Sequence, residues 1–185
     1  MPNPHPLVGS GPIYTLGNVT PKIHPSAWIA PTAAVIGDVE IGPDCGIWFH
    51  CVLRGDTNFI RIGARTNIQD GTIIHVDART FPTIIGNDVT VGHAAIIHAC
   101  TLNDRAFVGM GATVLDGAVI HEGGMLAAGG LLTPNKVIGP NELWAGSPAQ
   151  LKRVMSEEER AGFDQTAPHY IELAARMRAG LRGAS

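Results

Sequence analysis

The chain has 185 residues, of which 45% are hydrophobic and 16% are charged, a composition typical of one folded domain. Only 5% of the residues are aromatic, whereas 23 are glycine and 13 are proline, and this excess of helix breakers excludes a helical bundle or a coiled coil. The net charge of -3 provides no basic surface, so we expect neither nucleic acid nor a membrane as a partner.

The beginning of the chain carries no recognisable targeting signal. Residues 1–10 lack a basic segment and an apolar run as long as that of a signal peptide, and no stretch of roughly 18 apolar residues occurs anywhere in the sequence. The three cysteines form no CxxC pair, and their odd number argues against a disulfide framework. We therefore interpret residues 1–19 as an N-terminal extension and expect a cytoplasmic protein.

A six-residue period organises residues 20–148. An aliphatic residue recurs every six positions, apart from a three-residue slip, a five-residue insertion and a one-residue deletion. These aliphatic positions are Ile23, Ile29, Val35, Ile41, Ile47, Leu53, Ile62, Ile68, Ile74, Ile85, Val91, Ile97, Leu102, Val108, Val114, Ile120, Leu126, Leu132 and Ile138. A second column of mostly small residues lies four positions after the aliphatic ones. Because residues two apart on a strand point to the same side, both columns point inward, and each hexad predicts a short strand followed by a corner.

This pattern resembles the hexapeptide-repeat proteins, in which three hexads form one coil of a left-handed parallel β-helix with a triangular cross-section. The resemblance covers residues 20–148. The left-handed sense of the coil is implied by the resemblance alone, since the general rule for strand crossovers predicts a right-handed one. The predicted fold class is all-β, a left-handed parallel β-helix of about six coils with a C-terminal α-helical segment. A narrow aliphatic prism has no room for rings, which explains the small number of aromatic residues.

Residues 149–185 are predicted to form the C-terminal helical segment. The Gly146-Ser147-Pro148 tripeptide ends the repeats, and Ser156-Glu157-Glu158-Glu159 is a capping box that opens a helix. Pro168 is expected to divide the tail, and the residues after it predict a partly amphipathic helix that packs along the prism or against a neighbouring subunit. We interpret three arginines of this helix as a solvated face: Arg176, Arg178 and Arg182.

The length of the coils predicts that two histidines lie next to each other. If the insertions loop out without changing the order of the sides, Leu53, Ile74 and Ile97 lie on one side of the prism, and His75 and His98 point outward from it. The two histidines are 23 residues apart, which is one 18-residue coil plus the five inserted residues. Adjacent strands lie about 4.8 Å apart, and zinc binds imidazole nitrogen at about 2.0–2.1 Å, so the pair can share a metal ion.

His93 lies two residues after Val91, at a different corner of the coil that carries His98. Five residues of nearly extended chain separate the two histidines by a distance on the order of 15 Å, so one chain cannot bring both to one ion. If three prisms pack around a threefold axis, His93 can complete the site of a neighbouring subunit. We therefore predict a homotrimer with a three-histidine site, which is an arrangement of catalytic zinc.

Around these histidines the sequence resembles the γ-class carbonic anhydrases. The matching stretches are Arg54-Gly55-Asp56, Asn67-Ile68-Gln69-Asp70-Gly71, Ile74-His75, and Val91-Gly92-His93 through Ile97-His98. The resemblance implies that His75 and His98 of one subunit and His93 of the next bind the metal ion. It implies CO2 and bicarbonate as substrate and product.

The resemblance also implies roles for four polar residues. Arg54 and Asp56 form a pair that organises the subunit interface and the site, and Gln69 is a hydrogen-bonding partner of the metal-bound water or the substrate. Asp70 is a supporting residue, since it stacks one coil below His93. A zinc ion held by three neutral imidazoles lowers the pKa of its bound water to about 7, and the resulting hydroxide can attack CO2. Zinc is the expected cofactor, although imidazole also accepts iron and cobalt.

Two departures from the family pattern concern proton transfer. Members of that family carry a glutamate beside the aspartate that corresponds to Asp56 and another in an acidic loop, whereas this chain has Thr57 and, within residues 76–82, Asp77 as the single acid. We therefore expect weak hydration activity. Two alternatives stay open: an acyl-CoA thioesterase or acyltransferase on the same scaffold, and a non-catalytic trimer that its metal ion stabilises.

Overall fold

A computed structural model describes residues 11–183 of the chain. Most of it is built from short strands, and two helices follow them. The strands are β1 (Ile13–Tyr14), β2 (Lys22–Ile23), β3 (Trp28–Ile29), β4 (Ala34–Ile41), β5 (Gly46–Ile47), β6 (Val52–Ile62), β7 (Asn67–Ile68), β8 (Ile73–His75), β9 (Thr83–Ile85), β10 (Thr90–Val91), β11 (Ile96–His98), β12 (Thr101–Leu102), β13 (Phe107–Val108), β14 (Thr113–Val114), β15 (Val119–Ile120), β16 (Met125–Leu126), β17 (Leu131–Leu132), β18 (Val137–Ile138), β19 (Glu142–Gly146) and β20 (Ala149–Val154). The helices are α1 (Glu157–Asp164) and α2 (Thr166–Gly180).

The strands stack into three sides of a prism. The long strand β6 belongs to two of them, because its first part pairs with β8 and its second part pairs with β9. We call the side of β9, β12, β15 and β18 side A, and the side of β8, β11, β14 and β17 side C. Side B is the separate sheet with the order β3-β5-β7-β10-β13-β16-β19-β20. Its strands pair in parallel, except that β19 and β20 are antiparallel.

The predicted parallel β-helix is confirmed, and the aliphatic column forms its core. Leu53, Ile74 and Ile97 are fully buried, and the strand register places them side by side on side C, as the hexad count requires. In the part of the chain that the structure describes, the stack has about seven turns instead of six. The additional turn arises because Trp144 pairs with Leu126 after the last aliphatic hexad position.

Helix α2 packs along side B and covers the buried aromatic residues. The ring centroids of Trp28 and Trp48 are 4.9 Å apart, and that of Tyr170 lies 5.2 Å from Trp48. Trp28 precedes the inward Ile29 and Trp48 follows the inward Ile47, so both tryptophan side chains point out of the prism. The rings therefore pack between the sheet and the helix, and the interior of the prism stays aliphatic.

The chain leaves the repeats through a strand, so the first part of the predicted helical segment, residues 149–154, is β20. The capping box is present, because the Ser156 hydroxyl accepts the N–H of Glu159 and the Glu159 carboxylate accepts the N–H of Ser156. The break between the helices falls at Gln165, and the prediction that Pro168 divides the tail is wrong. Pro168 occupies the first turn of α2, where its missing N–H has no helical partner to lose.

The three arginines interpreted as a solvated face are exposed, and one of them, Arg178, also contacts the prism. Its guanidinium donates to the carbonyl oxygen of Ser26 at 2.9 Å and to that of Ala27, and it thereby ties the end of α2 to the first coil. Strand β1 pairs with β4, so residues 13–14 of the predicted extension lie against the prism, while residues 1–10 lie outside the described residues. Among residues 11–183, no helix is long and apolar enough to cross a membrane.

Candidate metal centre

Two histidines lie next to each other on the outer face of side C. Strands β8 and β11 pair in register, and His98 lies directly beside His75. The Nδ1 atom of His75 is 3.1 Å from the Nε2 atom of His98. This distance is close to the separation of about 3.3 Å between two ligands of a tetrahedral ion that binds nitrogen at 2.0–2.1 Å. The structure thus brings together these two predicted metal ligands.

A carboxylate contacts each of the two imidazoles at the ring nitrogen that does not face the other histidine. The Oδ1 atom of Asp56 lies 2.9 Å from Nε2 of His75, and the Oδ1 atom of Asp116 lies 2.5 Å from Nδ1 of His98. A neutral imidazole has one N–H group, which the carboxylate accepts, so the two nitrogens that face each other carry lone pairs. Two lone pairs at this distance repel each other unless a cation lies between them. The donor set therefore fits a metal ion.

Arg54 and Asp56 form an ion pair beside His75, as the resemblance implies. Burial raises the pKa of the Asp56 carboxyl, but hydrogen bonds from His75 and Arg54 act in the opposite direction, and the net effect holds the pKa below its usual range. Asp56 is therefore a charged hydrogen-bond acceptor at neutral pH. It is suited to orienting His75 and unsuited to donating a proton.

His93 lies at a different corner, where a strand of side B ends. Strand β10 stacks on β7 in register, which places His93 above Asp70, and the Nδ1 atom of His93 is 2.9 Å from Oδ2 of Asp70. Gln69 precedes this corner and is buried, with 6% of its surface exposed. Its amide donates to Oδ1 of Asn67 at 3.0 Å, and the Asn67 amide donates to the Thr90 hydroxyl at 2.9 Å. This chain of hydrogen bonds fixes the orientation of the Gln69 side chain.

The predicted site residues therefore form two separate groups. The pair half-site consists of the predicted residues Arg54, Asp56, His75 and His98 together with Asp116, which was not predicted, and the corner half-site consists of Gln69, Asp70 and His93. Within residues 11–183, no three His, Cys, Asp or Glu side chains are arranged to hold a metal ion together. One copy of the chain therefore presents two of the predicted ligands on side C and the third at a corner.

Asp116 is a member of the site that the hexad pattern did not identify. His75 and His98 directly follow an aliphatic position, whereas Asp116 lies two residues after Val114, at the start of a corner. Strand β14 stacks on β11, and this brings the corner next to His98. The coil that follows His98 has 17 residues because of the one-residue deletion, so Asp116 lies one position beyond the residue that stacks on His98, and the spacing alone did not indicate the contact.

Asp77, the single acid in residues 76–82, is bound to its own loop. Its Oδ2 atom accepts the N–H groups of Thr80 at 2.8 Å and of Arg79 at 3.1 Å. These two hydrogen bonds, that of Thr80 above all, hold the pKa of Asp77 below its usual range. An efficient proton carrier has a pKa near the working pH, so Asp77 is poorly suited to that role.

The three cysteines are buried in the described part of the chain, and the interpretation of Cys45 and Cys51 as core residues is confirmed. Burial raises the pKa of the Cys45 thiol to about 11 and that of the Cys51 thiol to about 12, and it raises the pKa of Cys100 as well. Thiolate is the form of cysteine that binds metal ions. The cysteines are therefore unsuited to be ligands here.

Known proteins with the same repeats place the chain in a family. The family described as bacterial transferase hexapeptide (six repeats) matches residues 20–55. A carbonic anhydrase from Geobacillus kaustophilus is 44% identical over 160 residues, which cover 86% of this chain and 87% of that protein. A solved structure of a hexapeptide transferase family protein from Anaplasma phagocytophilum has a TM-score of 0.85 and 48% identity, and the match covers 89% of this chain and 96% of that one.

A plant relative is similar over a smaller share of its length. Gamma carbonic anhydrase 2, mitochondrial, from Arabidopsis thaliana is 49% identical over 168 residues, which cover 86% of this chain and 60% of the plant protein. The fold and the histidine sites define a hexapeptide-repeat protein with a candidate metal centre. Within that class, the chain belongs to the γ-class carbonic anhydrase-like family.

Proposed function

We propose that the chain is a carbonic anhydrase that converts CO2 and water to bicarbonate at a metal ion held between the subunits of a homotrimer. One observation carries this proposal: the facing nitrogens of two stacked imidazoles lie 3.1 Å apart, and a carboxylate contacts the other nitrogen of each ring. The identity to a carbonic anhydrase over most of both chains supports the same reaction. The cytoplasmic location expected from the sequence stays a prediction.

Exposed apolar residues support the formation of a trimer. Ile73 and Ile96 lie beside the pair half-site with 47% and 42% of their surfaces exposed, and they pair with each other across β8 and β11. Met110, which is 58% exposed, lies beside the corner half-site, where the N–H of the next residue donates to the His93 carbonyl. Apolar surface at both half-sites favours their burial against another subunit. A closed ring of three copies joins each pair half-site to the corner half-site of the next copy.

The proposed ligands are His75 and His98 of one subunit and His93 of the next. A metal ion bound there supplies Lewis acidity, which allows water to ionise near neutral pH. Asp70 orients the His93 ring, as Asp56 orients that of His75. Each carboxylate accepts the N–H that would otherwise turn toward the ion, so the ligand nitrogen stays free to bind.

We assign to Gln69 a contact with the reacting molecules. Its amide is buried and fixed by Asn67, so it can present a hydrogen bond without first losing side-chain freedom. An apolar cavity of about 460 Å³ opens beside Gln69 and His93. Its other lining residues include Phe107, Met110, Met125, Phe163 and Tyr170. An apolar approach suits CO2, which is uncharged and has no hydrogen to donate.

Metal analysis combined with CO2 hydration assays tests this proposal. Protein purified with and without oxygen should bind about one metal ion per subunit and form bicarbonate. A chelator and the substitution His93→Ala should abolish both properties, whereas His121→Ala, directly after β15 and outside both half-sites, should abolish neither. A folded trimer that takes up no metal ion on reconstitution would contradict the proposal.

The same preparations separate the alternatives. Turnover of acyl-CoA substrates that persists in the presence of chelator would favour a thioesterase or acyltransferase. If chelation dissociates the trimer and neither CO2 nor acyl-CoA is turned over, the metal ion has a structural role only.

A further inference from the structure

The carboxylate of Asp116 has one partner in the site, and that partner is a proposed metal ligand. Its Oδ1 atom lies 2.5 Å from Nδ1 of His98. We propose that Asp116 is a positioning residue, which keeps the N–H of His98 on Nδ1 and the lone pair on Nε2 and thereby raises the affinity of the centre for its metal ion. This inference rests on the proposed metal site, but not on the reaction catalysed there.

The backbone around Asp116 is fixed from both sides. The N–H of Gly117 donates to the carbonyl oxygen of Ala99 at 2.8 Å, which ties the corner to the coil of His98. The N–H of Asn135 donates to the carbonyl oxygen of Asp116 at 2.9 Å, which ties the same corner to the following coil. The carboxylate is therefore held over His98 by the stacking of the coils and not by a mobile loop.

Asp116 differs in its contacts from the other carboxylate of the pair half-site. Asp56 accepts hydrogen bonds from Arg54 and Thr57 as well as from His75. Among the residues that the structure describes, His98 is the side chain that contacts the Asp116 carboxylate, and no Lys or Arg pairs with it. Its charge therefore acts on His98 without a competing cation. A carboxylate in this position both fixes the tautomer of a ligand histidine and increases its basicity.

The test compares the wild-type protein with Asp116→Ala, Asp116→Asn and a control, Asp44→Asn. Asp44 also lies at an exposed corner, and its side chain has no histidine partner in the described residues. Metal affinity is measured with zinc by competition with a chelator. The tautomer of His98 is measured in the metal-free protein from long-range ¹H–¹⁵N correlation spectra.

We expect Asp116→Ala to weaken zinc binding by about 10- to 100-fold and to release the proton of His98 from Nδ1. Asp116→Asn keeps an acceptor oxygen but loses the charge, so it should retain the tautomer and show an intermediate affinity. The control should bind zinc like the wild type. Circular dichroism shows whether each variant is folded. If Asp116→Ala does not fold, the zinc affinity of Asp116→Asn tests the proposal.

Wild-type affinity and an unchanged His98 tautomer in a folded Asp116→Ala protein would overturn this inference alone. The same holds for an Asp116→Asn protein that binds zinc as tightly as the wild type. A wild-type protein that binds no zinc would overturn the proposed function together with this inference, so the two failures are distinguishable.

Discussion

The Nδ1 atom of His93 lies 2.9 Å from Oδ2 of Asp70, one coil below it at the same corner of the prism. In the described part of the chain, neither residue contacts the pair formed by His75 and His98 on side C. The rigid stacking of the coils keeps the two groups apart within one copy. A site that contains all three histidines therefore requires two copies of the chain.

The structure predicts that Asp77 is not the proton carrier. We expect Asp77→Ala to leave the CO2 hydration rate unchanged at low as well as at high buffer concentration, because the carboxylate is hydrogen-bonded to Arg79 and Thr80 of its own loop. The same variant should destabilise the loop and lower the melting temperature slightly. Stopped-flow hydration assays at increasing buffer concentration measure the first effect, and a rate that falls at low buffer concentration and recovers with added buffer would contradict it.

The cysteines should be unreactive in the folded protein. Burial raises the pKa of Cys45 to about 11 and that of Cys51 to about 12, so both are thiols at neutral pH, and the reactive thiolate is scarce. We expect iodoacetamide to modify neither residue until the chain is unfolded, as measured by mass spectrometry. An added cysteine at an exposed position of α2, Ala179→Cys, provides a positive control. Rapid and complete labelling of the native cysteines would show that the packing described here is wrong.

Helix α1 should lose stability in acid. Hydrogen bonds from Arg153 and from the N–H of Ser156 hold the pKa of Glu159 below its usual range. Because this pKa is lower in the folded state, the stabilisation is complete above the pKa of the unfolded chain and is lost as the pH falls through the folded pKa. An NMR titration of the Glu159 carboxyl measures the shift, and a value at or above that of a free glutamate would contradict the prediction. Glu159→Gln should reduce the pH dependence of α1, whereas Glu158→Gln, at an exposed neighbouring position, should not.

The repeat carries most of the fold information, and this explains what could be predicted. A hexad fixes both the inward direction of Ile74 and Ile97 and their stacking distance, so the neighbourhood of His75 and His98 follows from counting residues. The number of turns was less accessible, because Trp144 extends side B although it is not an aliphatic hexad residue.

Other features depend on contacts that no short-range pattern contains. Arg178 reaches the carbonyl groups of Ser26 and Ala27, about 150 residues earlier in the chain, and this contact follows only from the packing of α2 on side B. Asp116 was missed for a different reason, since a carboxylate at a corner is common in solvated turns. Its role becomes visible when the coil below it is known to carry His98.

Mixed trimers of two inactive variants test the central claim most directly. In a trimer of His75→Ala alone, every site lacks a ligand of the pair, and in a trimer of His93→Ala alone, every site lacks the corner ligand. When the two variants are unfolded, mixed in equal amounts and refolded, about one interface in four should join the intact pair of a His93→Ala chain to the intact corner of a His75→Ala chain.

We predict that the mixture regains about a quarter of the wild-type metal content and hydration activity. A mixture of His75→Ala and His98→Ala chains is the matched control, and it should regain neither, because no chain in it has an intact pair. Mixed His75→Ala and His93→Ala trimers that bind no metal ion and form no bicarbonate, although the wild type refolded in the same way does both, would contradict a site shared between subunits.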